Sequence, residues 1–231
     1  MTYQEWCIET IKVILEMKNQ DEGQYGYKMI IKDVIRHYPE VFMVEGEQIH
    51  FWTKALSQSS VDRFRQSFID SFLMSERARE IAVRGDVEEI RRDLYQEHIT
   101  PVQYAFEKLK RLRDEKTLSA ESIKGCMSQN KLVLLHSEEK RYLDGQRFSD
   151  ADFQCLQNVC NEVTTQYLDV DAELEEARNL IGRSSKDKGS GLFRVCKLQS
   201  SGITFFDTNG NVCSNERIVE LLTREIAEYP V

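Results

Sequence analysis

The fold is decided by a four-residue signal that first appears at Thr2-Tyr-Gln-Glu5 and recurs at Ser59-Ser-Val-Asp62, Thr100-Pro-Val-Gln103 and Ser149-Asp-Ala-Asp152. In each segment a hydroxyl side chain can accept a hydrogen bond from a free N–H at a helix start. An acidic or amide side chain three residues later can reach back to the same turn. Pro101 stands where the first helical residue is expected, and there its missing N–H costs nothing. The four segments therefore predict four helix starts.

The composition is that of a folded, mainly helical protein. Of 231 residues, 41% are hydrophobic and 30% are charged, and only three are proline. This length allows one large domain or two small ones, each with its own core. The net charge of −8 at pH 7 disfavours nucleic-acid binding by the whole surface, because an acidic surface repels phosphate backbones. A local basic patch is still compatible with such binding.

The six cysteines indicate neither a metal site nor a disulfide framework. They lie far apart in mostly apolar surroundings, and no CxxC pair occurs. We therefore expect reduced thiols, with no metal and no cofactor. The sequence also lacks a leader-like start and an apolar run of about 18 residues, so we expect a cytoplasmic protein without a membrane partner.

The periodicity predicts an α+β fold that is mostly α, in three units. The unit at 1–57 contains two helices, near 2–18 and 29–38, and then a hairpin that turns at Glu45-Gly46. This order of elements resembles the helix-turn-helix-plus-wing arrangement, so we call the unit winged-helix-like. Its expected core is formed by Trp6, Ile11, Val34, Phe42 and Trp52.

The unit at 58–183 is predicted to be a helical body that carries a second hairpin. Phe64, Phe68 and Phe72 fall on one face of its first helix and should be buried. The second hairpin is predicted from Leu132–Leu135 and Arg141–Leu143. Because helix, helix and hairpin then occur twice in the same order, a duplication is an open alternative.

The unit at 192–231 is predicted to be a small β-hairpin followed by a helix. The expected strands are Leu192–Leu198 and Ile203–Phe206, with a tight turn at Asn209-Gly210 after them. Asn215 should cap the last helix.

One short motif suggests chemistry. The segment from Arg92 to His98 resembles the motif of the HEPN ribonucleases, in which histidine moves protons while arginine holds the charged phosphate oxygens. The commoner explanation is that Arg92 pairs with neighbouring acids and that His98 ends a helix near its negative pole. Because His98 precedes the predicted helix start at Thr100, we expect the two side chains to be turned apart.

The favoured functional prediction is a non-catalytic accessory or adaptor subunit that docks with other protein subunits in a larger intracellular assembly. In outline the chain resembles the small acidic tandem winged-helix subunits that accompany chromosome-structuring ATPases. One alternative is a winged-helix protein that binds nucleic acid through a local basic patch, and a second is a HEPN-like ribonuclease that uses Arg92 and His98. The residues expected to contact nucleic acid are Lys28, Lys32, Arg36, Lys108 and Arg111.

Overall fold

The computed structural model describes residues 1–17, 25–44, 47–50, 56–128, 130–162, 170–183 and 191–227. Within these ranges the chain forms an α+β fold that is mostly α, as predicted. The helices are α1 (Tyr3–Glu16), α2 (Tyr25–His37), α3 (Gln58–Ile69), α4 (Glu76–Arg84), α5 (Val87–Asp93), α6 (Val102–Asp114), α7 (Ala120–Ser128), α8 (Ser137–Gly145), α9 (Asp150–Glu162), α10 (Val170–Leu180), α11 (Gly191–Ser200) and α12 (Asn215–Ala227). The strands are β1 (Val41–Val44), β2 (Glu47–His50), β3 (Leu73–Ser75), β4 (Leu94–His98), β5 (Leu132–His136) and β6 (Phe205–Phe206).

A four-stranded mixed sheet in the order β4-β5-β3-β6 organises the middle of the molecule. Strand β5 pairs in parallel with β3 and antiparallel with β4, while β6 pairs antiparallel with β3. The run Leu132–Leu135 supplies the central strand and is fully buried. Such a continuous apolar run is typical of a strand that is covered on both faces. Strand β4 lies at one edge of the sheet.

Two of the four predicted helix starts are confirmed in detail. The Thr2 hydroxyl accepts from the N–H of Glu5, whose carboxylate accepts from the N–H of Thr2. Ser149 and Asp152 make the same reciprocal pair at the start of α9. These two segments therefore form capping boxes.

The other two helix starts differ from the prediction by two residues or fewer. Helix α3 is capped by Ser57 instead of Ser59, and the Ser57 hydroxyl accepts from the N–H of Ser60. Helix α6 begins at Val102 with Pro101 at the capping position, so Thr100 is not its cap. Pro101 itself has extended backbone, with ψ at 134°, so the helix begins one residue later than predicted. Proline has no side-chain acceptor and therefore gives α6 no side-chain cap from this position.

The N-terminal helices and the hairpin are present in the predicted order. Strands β1 and β2 pair antiparallel with Val44 opposite Glu47, and the predicted turn at Glu45-Gly46 lies outside the described residues. Helices α1 and α2 pack with α6 and α7, whereas the hairpin packs on α3. The winged-helix resemblance and the divisions at 57 and 183 stay predictions.

The predicted core of the first unit is confirmed in part. Ile11 and Val34 are buried. Trp6 is 44% exposed, so its assignment to the core was wrong. The side chains of Phe42 and Trp52 lie outside the described residues.

The second predicted hairpin is wrong, because the residues after β5 form helix α8. The ring of His136 accepts from the N–H of Glu138, and the Glu139 carboxylate accepts from the N–H of His136. This reciprocal pair is a capping box with histidine in place of serine or threonine. Strand β5 pairs with the distant β3 and β4 instead of with Arg141–Leu143.

The strand predicted at Leu192–Leu198 is also wrong, because this segment lies in helix α11. Its apolar residues are buried on more than one side, and the Phe193 ring stacks on Phe148 with the centroids 4.1 Å apart. The short strand β6 was predicted, and an antiparallel bridge from Phe206 to Val212 closes the expected turn. The hydroxyl of Ser214, one residue before Asn215, accepts a hydrogen bond at the start of α12. Among the described helices, none has the length and apolar composition needed to cross a bilayer.

Candidate anion-binding cleft

A cleft of about 780 Å³ lies along β4, the edge strand of the sheet. Its walls come from the last turns of α2 and α5, the first turn of α6, and residues of α8 and α11. These elements are distant in the sequence, and the sheet and its covering helices bring them together. All five residues of β4 line the cleft.

Basic side chains outnumber acidic ones among the described residues that line the cleft. The basic residues are Arg36, Arg91, Arg92, Lys140 and Arg194, and the acidic ones are Asp33, Glu40 and Glu97. The difference of 5 − 3 = +2 contrasts with the net charge of −8 of the whole chain. This cleft is therefore a local exception to an acidic molecule.

The floor of the cleft contains an ion-pair network around Glu97. This carboxylate is buried and pairs with the Arg194 guanidinium, and the Lys140 Nζ lies 3.5 Å away. Lys140 also pairs with Asp144 at 2.5 Å. Burial raises the pKa of Glu97, while the charges of Arg194 and Lys140 oppose this shift. Because Arg194 and Lys140 both form ion pairs with Glu97, they stabilise the floor of the cleft.

His98 lies beside this network with only 17% of its side chain exposed. Burial lowers the pKa of His98 to about 4, and the charge of Arg36 contributes to the shift. The ring is therefore neutral at pH 7. The side chain of Asn130 lies beside the ring and opposes this shift of the pKa.

Glu40 links His98 to the end of α2. This buried carboxylate is 2.5 Å from Nδ1 of His37 and 4.0 Å from Nε2 of His98. Burial raises the pKa of Glu40, and the hydrogen bond from His37 and the charge of Arg36 oppose the change. The group is thus a structural connection between α2 and β4.

Three arginines lie at the rim of the cleft. Arg36 is exposed and makes no ion pair or hydrogen bond with a described residue. Arg91 pairs with Glu88 at 2.7 Å, and Arg92 pairs with Asp93 at 2.8 Å. Exposed pairs of this kind are weak because water and salt screen them. The rim guanidinium groups can therefore exchange these partners for an incoming anion.

The start of α6 adds a second source of positive potential. Pro101, Val102 and Gln103 all line the cleft, and Pro101, which holds the capping position, has no side-chain acceptor for the first N–H groups of the helix. A helix start presents unsatisfied N–H donors and the positive end of the helix dipole. Phosphate and carboxylate groups bind at such starts.

An aromatic surface completes the cleft. The side chain of Tyr95 is 43% exposed on β4, and the Nζ atom of Lys140 lies 5.3 Å from the centroid of its ring. Exposed aromatic rings next to basic groups are platforms on which nucleic-acid bases stack.

The cleft includes three of the site residues named from the sequence. Arg36 was chosen for nucleic-acid binding, whereas Arg92 and His98 were chosen for the ribonuclease alternative. Arg92 is the second-last residue of α5 and His98 is the last residue of β4, and both line the same cleft.

The other named residues lie elsewhere. Lys28, Lys32 and Arg111 do not line the cleft, and Lys108 is only 7% exposed. Sequence reasoning did not select Glu40, Glu97 or Arg194 as site residues. A search for charged residues within predicted strands would have found Glu97 once β4 was identified.

No His, Cys, Asp or Glu cluster among the described residues has the geometry to hold a metal ion. Comparisons with protein-family models, curated proteins and solved structures found no match.

Proposed function

We propose that this chain is a non-catalytic accessory subunit of a larger assembly, and that its cleft binds the phosphate groups of a single-stranded nucleic acid. The observation that carries this proposal is the start of α6, where Pro101 provides no side-chain cap, beside three arginines that line the cleft. The helix start would hold one phosphate through its N–H groups, while Arg36 and Arg92 hold the neighbouring ones.

The exposed ring of Tyr95 supports a nucleic acid over a simple phosphate ion. A base can stack on this ring while the backbone follows the rim, and stacking tolerates any base sequence. A single strand suits the cleft better than a duplex, because its unstacked bases can reach Tyr95. The non-catalytic assignment rests on the lack of a catalytic signature in the sequence.

The test is the binding of a fluorescently labelled 15-nucleotide oligouridylate, measured by anisotropy between 0.05 and 0.2 M salt. With about three phosphate contacts, the logarithm of the affinity should fall with a slope of about −2 against the logarithm of the salt concentration. Over this range the affinity should therefore drop roughly twentyfold.

A matched pair of double variants separates the cleft from the rest of the basic surface. Arg36→Ala with Arg92→Ala removes two cations from the rim, whereas Lys28→Ala with Arg111→Ala removes two that lie outside the cleft. We expect the first pair to reduce the affinity and the salt slope, and the second pair to leave both nearly unchanged. Equal effects of the two pairs would refute the cleft as the binding site.

The ribonuclease alternative has one observation in its favour, since Arg92 and His98 line the same cleft. A neutral histidine can accept a proton, and an arginine can hold a charged phosphate oxygen. Incubation of structured and single-stranded RNA in EDTA, with the wild type beside His98→Ala, tests it directly. We expect no cleavage by either protein. Metal-independent cleavage that His98→Ala abolishes would show instead that the chain is an enzyme.

A further inference from the structure

Helix α1 has apolar side chains on two opposite faces. The inner face packs against α2, α6 and α7 through Cys7, Ile11 and Leu15. The outer face carries Trp6 and Val13 and is extended by Met17, the capping residue directly after the helix; these side chains are 44%, 54% and 61% exposed. At 100° per residue these three positions fall within about 40° of one another, so they form one line along the helix. We call this line the α1 stripe.

The N-terminal end of the α1 stripe is held in a fixed position. The Trp6 ring stacks on Tyr3 with the centroids 5.6 Å apart and the planes inclined by 26°. The capping box of Thr2 fixes the same turn of the helix. Trp6 is therefore held in place before any partner arrives. A preorganised tryptophan is the residue type most enriched among the anchors of protein interfaces.

The charges beside the α1 stripe indicate what kind of partner fits it. Glu9 and Glu16 are exposed, form no ion pair with described residues, and lie about 60–80° to one side of the stripe. A second copy of α1 in antiparallel contact would place these carboxylates against one another. A parallel copy would leave them without cations. A partner helix that has apolar residues on one side and lysine or arginine beside them can pack on the α1 stripe and pair with the two carboxylates at the same time.

The size of the α1 stripe also favours a single helix as the partner. From Trp6 to Met17 the helix rises about 16 Å, or three turns. Stable contacts between folded subunits usually bury about 800 Å² on each side. Three exposed side chains supply far less than this area, whereas one amphipathic helix can lay its apolar side along three turns of α1.

We propose that the α1 stripe is a docking site for a basic amphipathic helix of a partner protein. This inference rests on the accessory-subunit half of the proposed function and is independent of the cleft. The α1 stripe is on the first helix, whereas the cleft lies along β4. A failure to bind peptide would therefore leave oligonucleotide binding untouched, and the reverse also holds.

The experiment uses two designed 18-residue peptides with leucines at the same helical positions. One carries lysine at its polar positions, and the other carries glutamate. Binding of each fluorescently labelled peptide to the full chain is followed by anisotropy. We expect the lysine peptide to bind at least tenfold more tightly than the glutamate peptide.

Three variants locate the binding. Trp6→Ala should lower the affinity for the lysine peptide at least tenfold. Glu9→Gln with Glu16→Gln should lower this affinity and reduce its dependence on salt. Val83→Ala, which trims another exposed apolar residue on α4, is the matched control and should have no effect. Because all these positions are exposed, the variants should keep the wild-type circular dichroism spectrum.

Three results would overturn the proposal. They are the absence of binding at millimolar peptide, equal affinity for the two peptides, and binding that survives Trp6→Ala. Analytical sedimentation of the chain without peptide tests whether a second copy of the chain occupies the α1 stripe. A concentration-dependent dimer that Trp6→Ala abolishes would assign the α1 stripe to self-association instead.

Discussion

Replacing His98 by glutamine should flatten the pH dependence of stability on the acidic side of neutrality. The pKa of His98 is about 4 in the folded chain, against the ordinary value of 6.5 that applies to the unfolded chain. Between these two values the unfolded state binds more protons, so the free energy of unfolding falls as the pH is lowered. Above about pH 7 the residue contributes no pH dependence.

The size of the effect follows from the difference of about 2.5 pKa units. At 1.36 kcal/mol for each unit, the full loss is about 3 kcal/mol, and it is reached below pH 4. Between pH 7 and pH 5 the wild type should lose about 2 kcal/mol through this residue. The side chain in His98→Gln cannot take up the proton, so this variant should lose no stability through this position.

Buried carboxyl groups act in the opposite direction and must be separated from this effect. Burial raises the pKa of Glu40 and of Glu97, so the folded chain holds their protons more readily and gains stability as the pH falls. Both groups are present in the wild type and in the variant. The difference between the two proteins at each pH therefore isolates His98.

Urea unfolding at pH 7.5, 6.5, 5.5 and 5.0, followed by circular dichroism, measures that difference. The stability gap between the wild type and His98→Gln should change by about 2 kcal/mol from pH 7 to pH 5, with equal urea dependence in the two proteins. His98→Asn is a second variant and should give the same change. Parallel pH profiles for wild type and variants would refute the burial of a neutral imidazole at this position.

Two further predictions test the core and the helix starts. Phe68→Ala should lower the free energy of unfolding by about 3–5 kcal/mol because the ring is buried against Phe72 at 5.6 Å, and the half-buried Phe64→Ala should cost clearly less in the same urea titration. Equal losses would contradict the assignment of Phe68 to the core. Thr2→Ala removes the hydroxyl of a capping box and should cost about 1 kcal/mol, whereas Thr2→Ser should cost little. A loss in Thr2→Ser as large as in Thr2→Ala would show that the hydroxyl is not what stabilises α1.

The helix starts at Thr2 and Ser149 were predictable because a capping box is local. All its donors and acceptors lie within four residues, so their relation does not depend on the rest of the chain. The hairpin of β1 and β2 was predictable for the same reason, since its register follows from a two-residue turn.

Short apolar runs were not predictable in this way. Leu132–Leu135 is a strand and Leu192–Leu198 lies in a helix, yet both segments consist mostly of buried apolar residues without a clear period. Length and periodicity cannot separate a buried strand from a buried helix at this size. Pairing with distant strands decided the first case, and packing against Phe148 accompanied the helix in the second. The cap formed by His136 was also missed, because histidine is not among the preferred capping residues.

The residues that meet in the cleft could not be predicted as a group from local sequence patterns either. Arg36, Arg92 and His98 were selected by separate local arguments, and only the fold brings them together. Glu97 and Arg194 are 97 residues apart in the sequence, so no local pattern announces their pairing. The capping position of α6 is held by Pro101 instead of the predicted Thr100, and the sequence pattern did not indicate this shift.

The charge of the whole chain is a poor guide to this cleft because charges act over different distances. At 0.15 M salt the field of exposed charges decays over about 8 Å, so most of the −8 on the surface is screened from a ligand inside the cleft. The rim arginines and the α6 start lie within this distance of such a ligand, so salt screens their effect on it less than the effect of the distant acidic groups. Under the proposed function, the local excess of basic groups favours binding of an anion in the cleft, while the acidic remainder of the surface disfavours binding of nucleic acid elsewhere on the molecule.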